Sequence, residues 1–259
     1  MPLFSIITVC KNPSYGIIKT INSVLQQSFK NYEYIIFDGK STDGTVEYLE
    51  NLKKKKLIDK IIIEKDDGIY QALNKALYFA KGEYIGLVHA GDFYEKDLFV
   101  NLVPHMNGIN DIIYGSGCIS NNFSKAFIPI KFDAHKKLNK KMSILHPSTF
   151  IKRSVYEKLN YYSTNYKIAG DFDFLNKTYN KKFIFKHLDF SFSTMLFGGI
   201  SSQLKYVPLM AKETGSILYG PKASITKYNY ILYYMIKHFI YGLIINFKIK
   251  FNFLKNWLL

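Results

Sequence analysis

Arginine, cysteine and acidic residues are scarce in this sequence of 259 residues. Its only arginine is Arg153, which argues against a protein that reads duplex DNA, because bidentate guanidinium contacts to guanine are the commonest specific base contacts. Cys10 and Cys118 are too few for a disulfide scaffold or a cysteine-based zinc site, and they favour a reducing compartment. The sequence has 20 acidic and 35 basic residues, which gives a formal net charge of +15. This charge predicts attraction to phosphates, nucleic acid or anionic lipid without distinguishing among them.

Short apolar runs alternate with segments of helical periodicity along the first hundred residues. Strands that alternate with helices indicate an α/β fold, in which a mostly parallel sheet is flanked by helices on both faces. Apolar, β-branched runs predict strands at residues 4–10, 34–37, 58–63 and 84–88. Beyond residue 111 the pattern is weaker and predicts strands at residues 112–114 and 126–128. Apolar residues spaced three or four apart predict helices at residues 17–29, 46–56, 69–80, 155–159 and 173–179.

Acidic residues follow the predicted strands at their carboxyl ends. Asp38 ends the second strand, Asp66 follows the third, and Asp92 follows the fourth. Ligands of such sheets bind outside the carboxyl ends of the strands, so we expect these carboxylates to converge. Carboxylates beside helix N-termini suit a divalent cation and a diphosphate, with other side chains contacting the attached nucleoside. A dinucleotide-dependent dehydrogenase is disfavoured, because no Gly-x-Gly-x-x-Gly turn follows the first strand.

Four ordered motifs narrow this chemistry. They are Phe-Asp-Gly-Lys-Ser-Thr-Asp-Gly-Thr at 37–45, Glu-Lys-Asp-Asp-Gly-Ile-Tyr-Gln-Ala-Leu-Asn-Lys-Ala at 64–76, Ala-Lys-Gly-Glu-Tyr-Ile at 80–85 and Ala-Gly-Asp at 90–92, with looser matches at 146–150 and 169–174. With these motifs the chain resembles the family 2 glycosyltransferases, and within them the colanic-acid-type transferases of bacterial surface polysaccharides. The resemblance implies a GT-A fold with a Rossmann-like sheet, a nucleotide-sugar donor, and inversion at the anomeric carbon in a single displacement.

The resemblance also implies nucleotide contacts at individual positions. Asp38 and Asp66 lie where the family's acidic residues hydrogen-bond the base and ribose, which carboxylate acceptors can do. Thr8 and Val9 lie where the family's first strand touches the nucleoside, and burial in the core is the alternative for both. The other nucleotide-sugar contacts that we predict are Asn12, Asn74, Lys75, Ala90, Gly91, His146 and Arg153.

Asp92 ends the family's Asp-x-Asp-type motif, so the resemblance implies that it binds Mn²⁺ or Mg²⁺ bridging the donor diphosphate. His89 and Gly91 stand where other members often carry acids, which leaves Asp92 as the one carboxylate of the motif. Either Asp92 suffices together with water and phosphate oxygens, or His89 joins as a ligand and favours Mn²⁺. We prefer the first alternative, in which His89 is a hydrogen-bonded loop residue.

Asp171 aligns with the family's catalytic base, which takes the proton from the acceptor hydroxyl. Asp173 is the competitor, although capping a helix that begins near residue 174 is its default role. Family members often carry an acid directly before the base, where this chain has Gly170. His146 and Arg153 lie in a segment similar to a family element and would reach the phosphates or the acceptor, with a structural role as the alternative for each.

Residues 223–259 differ in composition from the glycosyltransferase domain predicted for residues 1–222. They are rich in Tyr, Ile, Phe and Leu, and no acidic residue follows Glu213, whereas lysines are spread throughout. The longest stretch without Lys or His is well short of the roughly 18 to 20 apolar residues that span a bilayer. The pattern favours an interfacial helix on an anionic membrane; packing against the sheet, or against a second subunit in a homo-oligomer, is the alternative.

We therefore expect an inverting enzyme that moves a hexosyl or N-acetylhexosaminyl group from a UDP-sugar to a lipid-linked saccharide. The expected place is the cytoplasmic, inner face of the bacterial cytoplasmic membrane, to which the tail would bind peripherally. The alternative is a non-catalytic sugar-nucleotide or partner-binding module. The presence of only one carboxylate in the metal-binding motif favours this alternative, whereas the presence of Asp171 at the position of the catalytic base argues against it. We expect no nucleic-acid partner, because that hypothesis rests on net charge alone.

Overall fold

The computed structural model describes residues 1–120, 125–199, 203–220, 226–233 and 235–236. The chain divides into two compact units, Met1–Phe197 and Gly198–Leu259. The predicted domain boundary between residues 222 and 223 falls inside the second unit, and residues 221–225 lie outside the described residues.

The first unit begins with the predicted alternation of strands and helices. Helix α1 ends at Leu25 rather than at Phe29, because the Gln27 amide leaves the helix to bond a later segment. Its Nε2 donates to the Glu95 carbonyl at 2.9 Å, and its Oε1 accepts the Phe99 N–H at 3.1 Å. The elements are β1 (Phe4–Cys10), α1 (Gly16–Leu25), β2 (Tyr32–Asp38), α2 (Thr45–Lys54), β3 (Lys60–Ile63), α3 (Ile69–Tyr78) and β4 (Tyr84–Leu87).

Further strands and α-helices follow β4 in the described part of the first unit. The apolar pattern predicts part of β6, and it predicts β7, α5 and α6 with small differences in their bounds, but it does not indicate β5, β8 or β9. These elements are β5 (Phe93–Tyr94), α4 (Leu98–Leu102), β6 (Ile112–Ser120), β7 (Lys125–Ile128), β8 (Thr149–Lys152), α5 (Arg153–Lys158), α6 (Gly170–Asn180) and β9 (Phe185–Leu196).

The strands form one sheet in the order β3-β2-β1-β4-β8-β6-β9-β5, and β7 pairs with β6 beside this path. Strands β1 to β4 are parallel to one another. Strand β8 is antiparallel to both β4 and β6, whereas β9 is parallel to β6. The carboxyl ends of β1 to β4 therefore share one edge of the sheet, which we call the carboxyl edge, and β6 and β9 run toward the same edge. The opposite edge is the amino edge.

Apolar side chains cover both faces of the sheet. Leu73 of α3, Tyr156 of α5 and Phe174 of α6 belong to the cluster on one face. Ile21 of α1 and Phe99 of α4 belong to the cluster on the other. Burial on both faces explains why β1 and β4 have continuous apolar sequences rather than alternating ones.

The second unit contains helix α7 (Val207–Tyr219), and residues 226–233 are also helical. Pro208 lies in the first turn of α7, where its missing N–H leaves no helical hydrogen bond unmade. Among the described residues, no helix is both long and apolar enough to cross a membrane. Residues 237–259 of the predicted tail lie outside the described residues.

Candidate functional site

The loops after β1 and β2 are tied together at the carboxyl edge. Asn12 donates its backbone N–H to Ser41 Oγ at 2.7 Å, and its Oδ1 accepts the Thr42 N–H at 2.7 Å. The φ angle of Asn12 is +48°, a left-handed conformation that Asn tolerates better than most residues. Asn12 thus shapes this edge, and its contact with a nucleotide sugar stays a prediction.

Asp38 is fully buried at the end of β2. Its Oδ1 accepts the Ser41 N–H at 2.6 Å, and its Oδ2 accepts the Cys10 thiol at 3.3 Å. Burial, with the negative charge of Asp38, raises the pKa of the Cys10 thiol well above its usual range, so the thiol stays protonated. The Asp38 carboxylate could accept a hydrogen bond from a nucleoside only if the residues that bury it moved apart, and that role stays a prediction.

Asp66 presents a more accessible carboxylate at the same edge. Its Oδ1 accepts the Gly68 N–H at 2.9 Å, whereas its Oδ2 accepts no hydrogen bond within the described part of the chain. That Oδ2 lies 2.5 Å from where a Cβ of Gly39 would stand, so a glycine is needed for the loops after β2 and β3 to approach this closely. Asp66 Oδ2 is thus a candidate acceptor, and its contact with a base or ribose stays a prediction.

The side chains of Thr8 and Val9 belong to the core, which agrees with the structural alternative for both. Thr8 is fully buried, donates its hydroxyl to the Val88 carbonyl at 2.7 Å, and pairs with the Tyr34 hydroxyl at 2.9 Å. Val9 packs in the cluster beside α3. A nucleoside at the end of β1 would therefore meet their backbone rather than their side chains.

A tight turn after β4 carries Asp92. The Asp92 N–H donates to the His89 carbonyl at 2.9 Å. The buried hydroxyl of Thr20 in α1 donates to the Asp92 carbonyl at 2.6 Å, and the Gly91 N–H donates to Thr20 Oγ1 at 2.9 Å. Gly91 has a φ of +102°, which favours glycine. Ala90 has only a methyl side chain and Gly91 has none, so both can offer a ligand only their backbone polar groups. Their contacts with a nucleotide sugar stay predictions.

The Asp92 carboxylate is half-buried without a charged partner among the residues that the structure describes. Burial raises its pKa to about 6, opposed by the Leu196 N–H that donates to Asp92 Oδ1 at 2.8 Å. A desolvated carboxylate without a counter-ion is stabilised by a cation. His89 in the same turn has a buried Nδ1 with no hydrogen-bond partner in the described structure, so the expectation of a hydrogen-bonded loop histidine is wrong for that atom.

The Asp92 carboxylate and the His89 imidazole are the candidate metal ligands in this turn. No group of three or more His, Cys, Asp or Glu side chains within the described ranges could enclose a metal ion. One carboxylate and one imidazole nitrogen leave most of a six-coordinate shell to other donors. A cation at this turn would therefore need most of its ligands from outside the protein, which the oxygens of a diphosphate can supply.

His146 contacts both His89 in the Asp92 turn and Tyr162. Its ring stacks on that of His89 with centroids 5.8 Å apart, and its Nε2 lies 3.0 Å from the Tyr162 hydroxyl. Burial lowers the pKa of His146 to about 4, and burial together with His146 lowers that of His89 to about 3. Both imidazoles are therefore neutral at physiological pH. These contacts agree with the structural alternative for His146, and its contact with the phosphates or the acceptor stays a prediction.

Asp171 lies in the first turn of α6, half-exposed beside Tyr70. The Tyr70 hydroxyl donates to the Ile168 carbonyl at 2.5 Å and lies 3.5 Å from Asp171 Oδ1. A Cβ at Gly170 would stand 2.7 Å from the Tyr70 ring, so this ring occupies the space that a side chain before Asp171 would need. The glycine at this position is thus explained by Tyr70, and it leaves Asp171 in place as the candidate base.

Asp173 does not cap a helix, contrary to the expectation from the sequence. Helix α6 begins at Gly170, which places Asp173 within its first turn. The Asp173 side chain is buried and pairs with Lys177 at 2.6 Å, four residues along the helix. Asp173 therefore stabilises α6 through an ion pair and is not available as the base.

Asn74 and Lys75 both make structural contacts. The Asn74 amide binds the backbone of Tyr162 twice, donating to its carbonyl at 2.8 Å and accepting its N–H at 3.0 Å. Lys75 pairs with Glu64 at 2.6 Å and donates to the Lys65 carbonyl at 3.2 Å. Roles in donor binding stay predictions for both residues.

The predicted contact of Arg153 with the nucleotide sugar is wrong, because β8 is antiparallel to β4. His146 precedes β8 and lies at the carboxyl edge, but the strand then carries the chain to the amino edge. There Lys152 pairs with Tyr84, the first residue of β4, and Arg153 donates its backbone N–H to the Glu83 carbonyl at 2.8 Å. The Arg153 side chain forms an ion pair with Glu157 at this opposite edge.

Sequence patterns alone do not indicate several residues that build the site. Tyr70 lies inside the motif at 64–76, which is the signal that could have singled it out. Thr20 has helical spacing with its apolar neighbours and no further signal, although its hydroxyl holds the Asp92 turn. Tyr162, which meets Asn74 and His146, lies in an irregular segment without a motif.

A sheet with acidic loops at its carboxyl edge, and a carboxylate at a helix start beside them, is the architecture of a nucleotide-sugar-dependent glycosyltransferase. The chain belongs to glycosyl transferase family 2, whose family model matches residues 5–160. It is 28% identical over 179 residues to the PGL/p-HBAD biosynthesis glycosyltransferase of Mycobacterium tuberculosis, covering 67% of this chain and 68% of that protein. It is 39% identical over 97 residues to the putative teichuronic acid biosynthesis glycosyltransferase TuaG of Bacillus subtilis, covering 37% and 38%.

Solved structures confirm the GT-A fold. S. aureus TarS 1–349 in complex with UDP-GlcNAc superposes with a TM-score of 0.68 at 18% identity, over 93% of this chain and 74% of that one. The mannosyltransferase PcManGT of Pyrobaculum calidifontis, in complex with GDP-Man and Mn²⁺, gives a TM-score of 0.65 at 16% identity, over 90% and 68%.

Proposed function

We propose that this family 2 glycosyltransferase is an inverting enzyme in which Asp171 is the general base and the Asp92 turn receives the donor diphosphate. One observation carries the proposal: contiguous ring contacts connect the two groups. Beside Asp171, the Tyr70 ring packs on Tyr162 with centroids 5.6 Å apart. From Tyr162 the contacts continue through His146 and His89, the residue that opens the Asp92 turn. The candidate base and the candidate diphosphate loop thus lie at the two ends of one continuous series of contacts.

Asp171 would take the proton of the acceptor hydroxyl while the hydroxyl oxygen bonds to the anomeric carbon. The bond from that carbon to the diphosphate oxygen breaks at the same time, and its electron pair leaves with the nucleoside diphosphate. Attack on the face opposite the leaving group inverts the anomeric configuration. The position of Asp171 in the first turn of α6 stabilises its negative charge before it accepts the proton.

Mn²⁺ or Mg²⁺ is the proposed cofactor. Asp92 would hold it, and His89 Nδ1 is the second candidate ligand, since it is buried without a hydrogen-bond partner in the described structure. When bound, the ion would neutralise charge on the departing diphosphate. The Mn²⁺ in the complex of PcManGT supports this choice.

The proposed donor is a UDP-sugar carrying a hexosyl or N-acetylhexosaminyl group. The UDP and UDP-GlcNAc complexes of TarS support it, and the GDP-Man complex of PcManGT makes a GDP-sugar the first competitor to test. Asp66 Oδ2, which accepts no hydrogen bond from the described residues, supplies an acceptor at the carboxyl edge for a ribose hydroxyl or a base N–H.

The proposed acceptor is a lipid-linked saccharide of a bacterial surface polysaccharide, met at the inner face of the cytoplasmic membrane. The names of the relatives support this class, since they refer to PGL/p-HBAD and teichuronic acid biosynthesis. In the second unit, Tyr228, Leu232 and Tyr233 are each about 60% exposed, at 62%, 59% and 62%. These exposed side chains suit the boundary of a bilayer, and the lysines in the sequence of residues 222–255 suit anionic head groups.

Two variants of neighbouring acids test the central role. Asp171→Asn is expected to lower transfer by about a hundredfold or more while leaving donor binding intact, since the amide cannot accept the proton. Asp173→Asn is the matched control, because its carboxylate is buried on Lys177, and it should keep the rate of the folded wild-type protein. Equal rates for Asp171→Asn and wild type would contradict the proposal. A wild-type protein that binds donor and transfers nothing would support a non-catalytic sugar-nucleotide-binding module instead.

A further inference from the structure

A cavity of about 340 Å³ opens between the segment that follows β7 and the first half of β9. Its volume lies at the lower end of the range of about 300 to 1,000 Å³ that is typical of small-molecule sites. The cavity is separate from the Asp92 turn and from Asp171, and no step of the proposed reaction uses it. Its lining residues are Pro129, Ile130, Lys131, Phe132, His187 and Asp189.

Buried side chains of β6 fix one wall of this cavity. The Ile130 N–H donates to Ser116 Oγ at 2.9 Å, and the Tyr114 hydroxyl donates to the Phe132 carbonyl at 2.6 Å. Ser116 and Tyr114 are themselves buried in the sheet. The ring of His187 packs on that of Tyr114 with centroids 5.2 Å apart. The cavity is therefore preformed, which lowers the entropy cost of binding a ligand.

The lining combines an exposed aromatic ring with charges of both signs. Phe132 is 72% exposed, although its ring could gain from burial against an apolar surface. Neither Lys131 nor Asp189 takes part in an ion pair within the part of the chain that the structure describes. A pyranose ring matches this set, because its C–H face packs on an aromatic ring while its hydroxyls donate to a carboxylate and accept from an ammonium group.

Strand register places His187, which lines the cavity, level with the carboxyl end of β4. His187 pairs with Tyr114, and Tyr114 pairs with Thr149, the first residue of β8. The next residue of β8, Phe150, pairs with Gly86 near the carboxyl end of β4. The Asp92 turn lies at the end of β9, where Asp92 Oδ1 accepts the Leu196 N–H, whereas the cavity residue Asp189 lies seven residues earlier on that strand, so the cavity does not adjoin the turn. The sugar attached to the diphosphate must lie against that turn, so a sugar in the cavity belongs to the other substrate.

We propose that this cavity is a subsite for a sugar ring of the acceptor, in which Phe132 stacks on the ring while Lys131 and Asp189 select its hydroxyl pattern. The inference rests on the proposed function and deepens it, since it assigns residues to the recognition of the acceptor glycan. Phe132, Lys131 and Asp189 are specificity-determining residues and take no part in bond making.

Saturation-transfer NMR on the full chain tests the subsite, with methyl glycosides of glucose, galactose, mannose and N-acetylglucosamine as probes. Wild-type protein is expected to bind at least one probe, and Phe132→Ala should weaken that binding by about tenfold. Phe127→Ala is the matched control, because Phe127 is 59% exposed on β7 and does not line the cavity. Asp189→Asn is a second variant that keeps the side-chain size and should change the ranking of the four probes.

Two results would overturn the subsite: no probe binds to folded wild-type protein, or Phe132→Ala and Asp189→Asn both bind the probes as wild type does. Donor binding and transfer measured on the same samples separate this failure from that of the proposed function. Intact transfer with unaffected probe binding in the variants would reject the subsite alone. Probe binding that depends on Phe132, in a protein that neither binds donors nor transfers sugar, would keep the sugar site and reject the transferase proposal.

Discussion

The imidazole of His146 stacks on that of His89, with ring centroids 5.8 Å apart and ring planes inclined by 26°. Burial holds both rings neutral at physiological pH, with a pKa of about 4 for His146 and about 3 for His89. Two protonated imidazoles at this distance would repel each other. The contact between the segment before β8 and the Asp92 turn is therefore favoured while the rings are not both protonated.

His146 should make the stability of the protein depend on pH. Its pKa is about 4 in the folded state and near the ordinary 6.5 in the unfolded chain, so between these values the unfolded chain binds more protons. The free energy of unfolding is thus highest above pH 6.5 and falls as the pH drops toward 4, by up to about 1.4 kcal/mol per pH unit for this group. Denaturant unfolding of wild type and His146→Phe across this range measures it. The free energy of unfolding of the variant should change less steeply with pH than that of wild type. Identical dependence on pH in the two proteins would contradict the lowered pKa of His146.

Local patterns suffice to predict β1 to β4 and the helices between them, because each element is a buried strand or an amphipathic helix in its own sequence. The second half of the sheet depends on pairing between distant residues. Strand β9 pairs with β6 through two register shifts, at Gly115/Ser116 and Ser116/Gly117, which no short window of sequence reveals. Strand β8 has only four residues, and its antiparallel direction decides where Arg153 lies.

In the candidate site, too, local patterns predict some residues, whereas others depend on contacts between distant parts of the sequence. Asp66, Asp92 and Asp171 are indicated by motifs, because each follows a strand or begins a helix. The contacts that hold them come from residues far away in the sequence, such as Thr20 on the Asp92 turn and Tyr70 beside Asp171. A single sequence does not report such contacts, since the side chains meet only in the folded sheet.

The close packing of Tyr70 on Gly170 predicts that Gly170→Ala destabilises the protein. The added Cβ would stand 2.7 Å from a ring that is buried and hydrogen-bonded to Ile168, so the ring cannot move away freely. Overpacking of this kind costs about 1–3 kcal/mol, which exceeds the gain in helix propensity of about 1 kcal/mol. Gly16→Ala is the control, since its nearest neighbour would lie at 3.5 Å.

Thermal unfolding of Gly170→Ala, Tyr70→Leu and the double variant separates this clash from a backbone effect. A smaller ring-free side chain at position 70 should relieve the crowding, so the two substitutions should couple by about 1 kcal/mol or more. Strictly additive changes would place the cost of Gly170→Ala elsewhere than on Tyr70.

Asn74 is predicted to act on stability through Tyr162. Asn74→Asp keeps an acceptor for the Tyr162 N–H but turns a carboxylate oxygen toward the Tyr162 carbonyl, in place of a donor at 2.8 Å. We expect a loss of about 1–3 kcal/mol in the free energy of unfolding, with an unchanged KM for the donor in the folded fraction. A raised donor KM without loss of stability would instead support the nucleotide contact predicted from the motif.

Exposed apolar side chains of the second unit predict binding to anionic membranes. The protein should sediment with phosphatidylglycerol vesicles more than with phosphatidylcholine vesicles, and joint replacement of Tyr228, Leu232 and Tyr233 by Ser should abolish this. Tyr15→Ser is the control, because Tyr15 is 88% exposed in the first unit. Vesicle binding that survives the triple replacement would place the contact elsewhere. Loss of self-association in the triple variant, without any vesicle binding by wild type, would favour the homo-oligomer.

The most direct test of the central claim measures thermal unfolding of the purified protein with UDP-, GDP-, CMP- and dTDP-linked sugars, each with and without Mn²⁺. A ligand that binds only the folded state raises the unfolding temperature, by an amount that grows with its concentration over its Kd. We predict that UDP-sugars stabilise wild type, that Mn²⁺ increases the shift, and that Asp92→Asn removes the increase. A folded protein that responds to none of these donors would contradict the assignment of the carboxyl edge as a nucleotide-sugar site.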